Sequence, residues 1–358
     1  MKFLGEIEEG MRGRYKGLET SMSRLSKFIN GIQKRTYYAI GAQPKSGKTS
    51  LLDEFFVLGP YLRNKDVNIK WIYFSPEVDL LEKMAKYTAY LMDYKYKVYC
   101  DSNYILSRGD NRLTPEHKVC VDEIAQNELK DLFGDGKVPG KIKFIEDRMN
   151  PEGIRQALLT HANENGKFLY DNYEKEGQWH KKIASYEEND NSLYTLPIVD
   201  HVGLVPLERG FSKKENIDKL SSHMVWFRNI CNFSPVLVSQ FNRDLGKIDR
   251  LKFSGEQLSP TLEDFKDTGS LSEDASLVLG IFNPTQHKHL QRHLQYDLNA
   301  IGKSYRSIHV LASRNTEAGV SISALLEGKT GKFTELPKPD DQNALNKVYE
   351  YVERKTIR

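Results

Sequence analysis

Cysteine and long apolar runs are both scarce in this sequence of 358 residues. Its three cysteines, Cys100, Cys120 and Cys231, lie far apart, with neither CxxC spacing nor the pattern of a disulfide framework. We therefore expect reduced structural thiols in a cytoplasmic setting. No run of about 18 apolar residues occurs, so no segment is expected to span a membrane. The start, MKFLGEIEEG, lacks an apolar signal core, which argues against secretion.

An excess of charge of one sign is also missing. The chain has 52 Lys and Arg against 49 Asp and Glu, which gives a net charge of +3. This excess is too small to indicate a nucleic-acid partner, so any DNA-binding surface has to be local. The hydrophobic content of 39% is low but compatible with a core, and the mean hydropathy of -0.58 indicates a soluble protein. The length allows one large domain or two ordinary ones.

Short apolar runs alternate with segments of helical periodicity, without an internal repeat or a low-complexity tract. Strands are predicted at 36–40, 67–74, 141–146, 195–200, 234–240, 275–282 and 307–313. Helices are predicted at 50–58, 75–94, 151–165 and 217–231. This alternation predicts an α/β fold with a mostly parallel sheet that helices cover on both faces.

Three local features refine this pattern. Gly59 and Pro60 are expected to kink or interrupt the helix that follows the first strand. Ser75 is the expected N-cap of the next helix, with Pro76 at its first position. The polar stretch 167–192 lacks periodicity apart from scattered aromatic residues. It is interpreted as an inserted surface excursion, with a long helix and a loop as the alternative.

The stretch AQPKSGKT, residues 42–49, lies between the first strand and the first helix. A phosphate-binding loop needs backbone N–H groups at a helix N-terminus, a lysine for the β- and γ-phosphates and a hydroxyl for Mg²⁺. Lys48 and Thr49 meet the last two needs, and Ser50 is a candidate to assist. The alternatives are a solvated lysine and hydroxyl groups that only cap the helix.

The first position of this loop is Ala42, where the strict pattern has glycine, although a relaxed form of the pattern admits alanine. The predicted nucleotide-binding residues are Ala42, Pro44, Lys45, Ser46, Gly47, Lys48, Thr49 and Ser50.

Five further segments follow the loop in order: YFSPEVD (73–79), LPIVDHVGLV (196–205), SPVLVSQFNRDL (234–245), EDFKDTGSLSEDASLVLGIF (263–282) and VLASRNTEAGVSISALLEGKTGKFTEL (310–336). Together with residues 17–50, which contain the loop, they resemble the RecA-type motor domain of DnaB-family replicative helicases. The resemblance covers nearly all of the chain. It implies a RecA-like P-loop NTPase fold, ATP and Mg²⁺ as cofactors, and a DNA-dependent ATP hydrolase.

The resemblance also implies roles for three residues at strand ends. Glu77 would polarise the attacking water, Asp200 would hold Mg²⁺ together with Thr49, and Gln240 would sense the γ-phosphate. Each residue has a plainer interpretation. Glu77 could complement a helix dipole, Asp200 could end a strand in a turn, and Gln240 could cap its own turn.

Arg314 resembles the arginine finger that a neighbouring subunit supplies, with a surface ion pair as the alternative. The catalytic set implied by the resemblance is therefore Glu77, Lys48, Arg314 and Gln240. Two positions depart from the family pattern. Ala312 stands where a lysine is usual, which bears on the strength of activation by the neighbour, and His201 stands where tyrosine is frequent.

Two segments, 206–219 and 244–267, occupy the positions of loops that project into the central channel of ring-shaped relatives. The basic residues expected to contact phosphates of single-stranded DNA are Arg209, Lys213, Lys214, Lys247, Arg250 and Lys252. A basic loop is often merely solvated, which is the alternative for each of these residues. A long loop in a compact domain nevertheless favours function or mobility.

The expected organisation is a tail or linker-helix remnant at 1–13, a RecA-like ATPase domain at 14–336 with the excursion inserted, and a helical tail at 337–358. The first 13 or so residues are too few for the separate N-terminal domain of DnaB relatives. The expected function is a ring-forming helicase, hexameric by resemblance, that moves on single-stranded DNA with a primase or loader as a candidate partner. It would act in the cytoplasm of a bacterium or of an infected host cell. The alternatives are a RecA-class strand-exchange or annealing ATPase and a nucleotide-gated scaffold or regulator.

Overall fold

The computed structural model describes residues 2–11, 16–175, 178–242, 245, 258–287 and 290–356. The strands are β1 Tyr38–Ala42, β2 Ile69–Phe74, β3 Ile142–Ile145, β4 Gly166–Lys175, β5 Gln178–Glu188, β6 Tyr194–Val199, β7 Val236–Gln240, β8 Leu277–Phe282, β9 Arg292–His293, β10 Tyr296–Asp297, β11 Tyr305–Ser313, β12 Ser321–Leu326 and β13 Phe333–Glu335. The described α-helices are α1 Lys2–Met11, α2 Ser23–Phe28, α3 Lys48–Leu52, α4 Gly59–Arg63, α5 Leu80–Leu91, α6 Ser102–Ile105, α7 Pro115–Ile124, α8 Lys130–Phe133, α9 Pro151–Asn165, α10 Lys213–Cys231, α11 Gly269–Asp274, α12 Leu298–Ile301 and α13 Gln342–Thr356. π-Helical segments span Asp53–Leu58, Met92–Tyr96 and Ala125–Leu129, and 3-10 segments span Val202–Leu204, Leu262–Thr268, Pro284–Gln286 and Gly302–Ser304.

Nine strands form one sheet in the order β13-β12-β11-β8-β1-β7-β6-β2-β3. The six strands from β8 to β3 in this order run parallel, and β11, β12 and β13 add an antiparallel border. In this register Ala42 pairs with Gln240 of β7 and with Ile281 of β8. The ends of the parallel strands therefore meet at one edge of the sheet, the carboxyl edge, and their beginnings form the opposite amino edge. The predicted α/β fold with a mostly parallel sheet is confirmed, and the seven predicted strands are present with ends displaced by at most two residues.

Helices cover both faces of the sheet, and the burial along β2 shows this directly. Trp71 and Tyr73 are buried in one apolar cluster, whereas Ile72 and Phe74 are buried in another. Successive strand residues point to opposite faces, so burial of all four side chains requires packing on both sides.

The helix after β1 does not stop at Pro60, so of the predicted kink or interruption the interruption is wrong. Helix α3 continues through the π-helical segment Asp53–Leu58 into α4. Pro60 has no N–H to donate to the carbonyl of Phe56, four residues earlier. That carbonyl instead accepts a hydrogen bond of 2.8 Å from the indole Nε1 of Trp71 on β2. A tertiary contact thus satisfies the group that proline leaves open.

The next helix begins later than expected, so the prediction of Ser75 as its N-cap is wrong. Helix α5 starts at Leu80, and the Asp79 side chain caps it by accepting the Glu82 N–H at 2.8 Å. The Ser75 hydroxyl donates to the carbonyl of Val78 at 2.8 Å instead. The residues between Ser75 and Asp79 therefore form a bend, which leaves Glu77 off the helix and at the carboxyl edge.

The predicted excursion near 167–192 is a long β-hairpin, β4 paired antiparallel with β5, and the alternative of a long helix with a loop is wrong. Its base is packed, since Phe168 and Tyr186 are buried and the Tyr186 hydroxyl donates to the carbonyl of Ala162 at 2.7 Å. Farther out, Tyr170 and Trp179 are exposed. Because most of the hairpin has no buried face, its sequence lacks the apolar alternation that identifies a strand.

Both ends of the described chain are helical, with α1 at Lys2–Met11 and α13 at Gln342–Thr356. Among the described residues no helix combines the length and the apolar character that crossing a membrane requires.

Candidate active site

The loop between β1 and α3 has the backbone shape of an anion cradle. Lys45 and Gly47 have positive φ angles of 62° and 94°. The positive φ of Gly47 favours glycine, and an added Cβ there would lie 2.6 Å from the end of the Leu326 side chain, at Cδ2. The buried Ser46 Oγ and Gln43 Oε1 have no hydrogen-bond partner among the described residues. Unpartnered polar atoms beside a helix N-terminus fit a loop that receives a phosphate group.

Lys48, the first residue of α3, lies between two carboxylates at the carboxyl edge. Its Nζ is 3.3 Å from Asp200 Oδ1 and 3.7 Å from Glu77 Oε2. Asp200 directly follows β6, and Glu77 lies in the bend after β2. Lys48 and Asp200 are almost wholly buried, whereas Glu77 is 54% exposed. The carboxylates balance the lysine charge that the polyphosphate of a nucleotide would otherwise balance.

Gln240 and His201 complete this group of side chains. Gln240 ends β7 and is exposed, and its amide nitrogen is 3.2 Å from His201 Nε2. The same Nε2 is 3.9 Å from Glu77 Oε2. His201 Nδ1 accepts the backbone N–H of Gly203 at 3.2 Å. Burial, reinforced by the positive charge of Lys48, lowers the pKa of His201 and favours its neutral form. Sequence reasoning gave His201 no role, because a lone histidine after a strand has no distinctive signal.

Thr49 and Ser50 occupy the first turn of α3 and border a cavity of about 360 Å³. The turn between β12 and β13 forms another wall of this cavity, and a Cβ on Gly331 would be 3.5 Å from Ser50 Oγ. Pro44 and Lys45 are exposed at the tip of the loop, and the carbonyl of Pro44 accepts Gln286 Nε2 at 3.1 Å.

The residues present fit Mg²⁺ in part. Asp200 and the Thr49 hydroxyl are oxygen ligands of the kind that Mg²⁺ prefers when substrate phosphates and water supply the remaining positions. A complete protein cage is absent from the part of the chain that the structure describes, where no group of three or more His, Cys, Asp and Glu could hold a metal ion.

Arg314 lies at the amino edge, far from the other predicted catalytic residues. It follows β11, whose last residue Ser313 pairs with Leu277 at the beginning of β8. Leu277 in turn pairs with Tyr38 at the beginning of β1. With about 3.3 Å per strand residue, the five residues of β1 separate this edge from Lys48 by roughly 15 Å. Arg314 Nη2 donates to the carbonyl of Glu273 at 2.8 Å. The structure therefore does not bring Arg314 into the site of its own chain.

The residues predicted to bind DNA are only partly described. Arg209, Lys213 and Lys214 are exposed on the segment after Asp200. The predicted loop 206–219 is shorter than expected, because α10 begins at Lys213 with a capping box formed by Ser212 and Glu215. Lys247, Arg250 and Lys252 lie outside the described residues.

A buried ion pair behind the loop was also missed from sequence. Lys83 Nζ on α5 is 2.9 Å from Asp53 Oδ2, and the hydroxyls of Tyr73 and Tyr87 donate to Asp53 Oδ1 at 2.9 and 3.0 Å. This network joins the helix after the phosphate loop to the helix after Glu77. The signal for it was Asp53 within the apolar run LLDEFFVL, where a carboxylate needs a partner.

Two solved structures resemble the chain over nearly its whole length. One is described as an ATPase domain and has 16% sequence identity and a TM-score of 0.63, and the alignment covers 94% of this chain and 98% of that one. The other, a DnaB-like replicative helicase described with its interactions with primase, has 14% identity and a TM-score of 0.64, with 92% and 67% covered. No protein-family model and no curated protein matches the sequence. At these identities the likeness shows the fold, which is RecA-like.

Proposed function

We propose that the chain is the motor domain of an ATP-dependent DNA helicase of the DnaB family. It hydrolyses ATP, assembles as a ring and moves on single-stranded DNA during replication, with a primase or loader as a candidate partner. The observation that carries this proposal is the convergence of Lys48, Glu77, Asp200 and Gln240 at one edge of a RecA-like sheet.

The chemistry follows from the position of each side chain. Lys48 exchanges its contacts with Asp200 and Glu77 for the β- and γ-phosphates when ATP enters the loop. This exchange frees Glu77, which is half exposed, to accept a proton from water or to orient it. Gln240 lies at the same edge, where its amide N–H₂ group can donate to the γ-phosphate. Thr49 and Asp200 would hold Mg²⁺, which supplies charge neutralisation of the phosphates when bound.

The position of Arg314 supports an active site shared between subunits. Its guanidinium is exposed at the amino edge, roughly 15 Å from Lys48 along β1. From this position a guanidinium can stabilise the charge of the phosphoryl-transfer transition state only at the nucleotide site of a neighbouring chain. The resulting assembly places ATP between subunits, as a ring-forming motor requires.

Steady-state ATP hydrolysis with and without single-stranded DNA tests the proposal. We expect strong stimulation by DNA, abolished by Glu77→Gln and by Arg314→Ala. Arg354→Ala is a matched control, because Arg354 is exposed and pairs with Glu350 on the terminal helix. Strand displacement on a forked duplex then separates a helicase from a strand-exchange ATPase. Nucleotide binding with negligible turnover, unaffected by DNA or by Arg314→Ala, would contradict the motor and favour a nucleotide-gated scaffold.

A further inference from the structure

The ring of His201 is held in one orientation at the carboxyl edge. The residue follows Asp200 and precedes the 3-10 turn Val202–Leu204, and it is buried. Its Nδ1 accepts the N–H of Gly203 at 3.2 Å, which closes this turn. A backbone N–H can only donate, so Nδ1 carries no hydrogen.

The hydrogen of the neutral ring therefore resides on Nε2. The hydrogen bond at one ring nitrogen decides which tautomer is present. Nε2–H points to Gln240, whose amide nitrogen is placed 3.2 Å away, and the alternative acceptor Glu77 Oε2 is farther, at 3.9 Å. His201 is thus a donor toward the end of β7.

A donor at Nε2 selects one orientation of the Gln240 carboxamide. The amide nitrogen and oxygen have nearly the same shape, so their placement follows from the hydrogen bonds around them. Two N–H donors cannot face each other, so the oxygen of Gln240 belongs next to Nε2. The N–H₂ group then faces away from His201, toward the open side of the edge.

We propose that His201 is a positioning residue that orients Gln240, so that the amide N–H₂ rather than the oxygen meets the terminal phosphate of a nucleoside triphosphate. The inference deepens the proposed function and rests on it, because Gln240 must face the γ-phosphate. An N–H₂ group donates to an anionic oxygen, whereas a carboxamide oxygen would repel it. Since a diphosphate lacks this terminal group, His201 contributes to the preference for triphosphate over diphosphate.

Two substitutions of His201 distinguish the roles of its two ring nitrogens. Gln at position 201 can place an N–H₂ donor near the position of Nε2, whereas Asn reaches only the position of Nδ1 beside Gly203. Binding of ADP and of a non-hydrolysable imido analogue of ATP is measured by titration calorimetry with Mg²⁺. We expect His201→Gln to keep the preference for the triphosphate analogue. His201→Asn should reduce this preference about tenfold, which corresponds to the loss of one hydrogen bond to a charged group, and should leave the affinity for ADP unchanged.

A double-mutant cycle tests whether His201 acts through Gln240. In a Gln240→Ala background, His201→Asn should change the preference no further, because the side chain it orients is absent. An unchanged preference in His201→Asn overturns the inference. An equal loss in His201→Gln, or effects that add in the double variant, also overturns it, because each points to packing rather than to the Nε2 donor.

The tautomer of His201 is a second readout, because packing of the ring alone would not determine which nitrogen carries the hydrogen. A long-range ¹H–¹⁵N correlation spectrum distinguishes the two neutral forms, and the signal missing in His201→Gln assigns His201. We expect the hydrogen on Nε2, and a hydrogen on Nδ1 overturns the inference. The proposed function and the role of His201 can fail independently. Nucleotide binding without DNA-stimulated turnover contradicts the motor function, but the preference for the triphosphate can still be measured. Stimulated turnover with no effect of His201→Asn on that preference contradicts only the role of His201.

Discussion

The two edges of the parallel sheet differ in how their charges are balanced. At the carboxyl edge Lys48 has two carboxylates within 3.7 Å. At the amino edge Arg228 and Arg314 both donate to the carbonyl of Asp274, at 3.2 and 3.3 Å, and neither forms an ion pair with a carboxylate among the described residues. A cleft of about 920 Å³ at the same edge is lined by basic residues that include Lys27, Arg35 and Arg63, and by Glu19.

This difference indicates which edge is complete within one chain. The carboxyl edge holds its own counter-ions in place of a nucleotide, so it is formed before anything binds. The amino edge presents the adjacent guanidinium groups of Arg228 and Arg314, which repel each other although the Asp274 carboxylate acts against this repulsion, and an anion from another molecule would relieve it further. The proposed motor, built from several copies of the chain, would use the two edges together.

The largest effect is expected when each edge is disabled in a separate variant and the two variants are then mixed. Lys48→Ala and Arg314→Ala should each reduce ATP turnover by about a thousandfold, the scale of a removed arginine finger. A mixture of the two variants should regain part of the activity, because the intact carboxyl edge of one chain meets the intact amino edge of the other. Turnover is measured at several mixing ratios. A mixture as inactive as its components would show that the edges do not meet between chains.

The buried pair behind the carboxyl edge should account for much of its rigidity. Lys83→Met leaves Asp53 buried without its cation and should reduce the free energy of unfolding by about 3–5 kcal/mol. The double variant Asp53→Asn, Lys83→Met should lose less, because Asn still accepts from Tyr73 and Tyr87 and no charge stays unpaired. Urea unfolding curves measure both. A double variant less stable than Lys83→Met would contradict this account.

Glu54, beside Asp53, makes the same region sensitive to pH. Burial raises its pKa to about 8, although the Phe333 N–H and the Tyr90 hydroxyl hydrogen-bond to its carboxylate. Below its ordinary pKa of 4.5 Glu54 is protonated in both states and has no effect. Between 4.5 and about 8 only the unfolded chain releases the proton, so stability falls as pH rises, by up to about 1.4 kcal/mol per unit.

Glu54→Gln removes the titrating carboxyl group and with it the contribution of Glu54 to the pH dependence of stability. Unfolding by urea at pH 6 and pH 9 should therefore show a smaller loss of stability in the variant than in the wild type. Equal losses in both proteins would show that Glu54 titrates normally in the folded state.

The smallest effect is expected at the hairpin, away from both edges. Trp179 is 74% exposed, so Trp179→Ala should change the free energy of unfolding by no more than about 0.5 kcal/mol. Phe168→Ala, at the buried base, should cost about 3 kcal/mol because Phe168 packs on Tyr186 and Trp226. A large loss from Trp179→Ala would mean that the outer hairpin is part of the core after all.

Local patterns determined much of the fold and part of the candidate site. Alternation of apolar runs predicted each strand of the parallel sheet, since strands buried on both faces are almost continuously apolar. The phosphate loop and its Lys48 were visible because glycine, lysine and a hydroxyl must follow one another at a helix start. These features depend on neighbours in the chain, and the sequence displays such neighbours directly.

What depends on distant neighbours was decided by the tertiary structure. Ser75 and Asp79 are both acceptable N-caps, and Glu146, which accepts the Leu80 N–H, favours the later start. Trp71 lets the helix pass Pro60 by bonding the carbonyl that proline cannot. His201 acquires Gln240 as a partner only when β6 and β7 lie side by side. In each case a polar group has more than one candidate partner, and the surrounding fold decides which hydrogen bond forms.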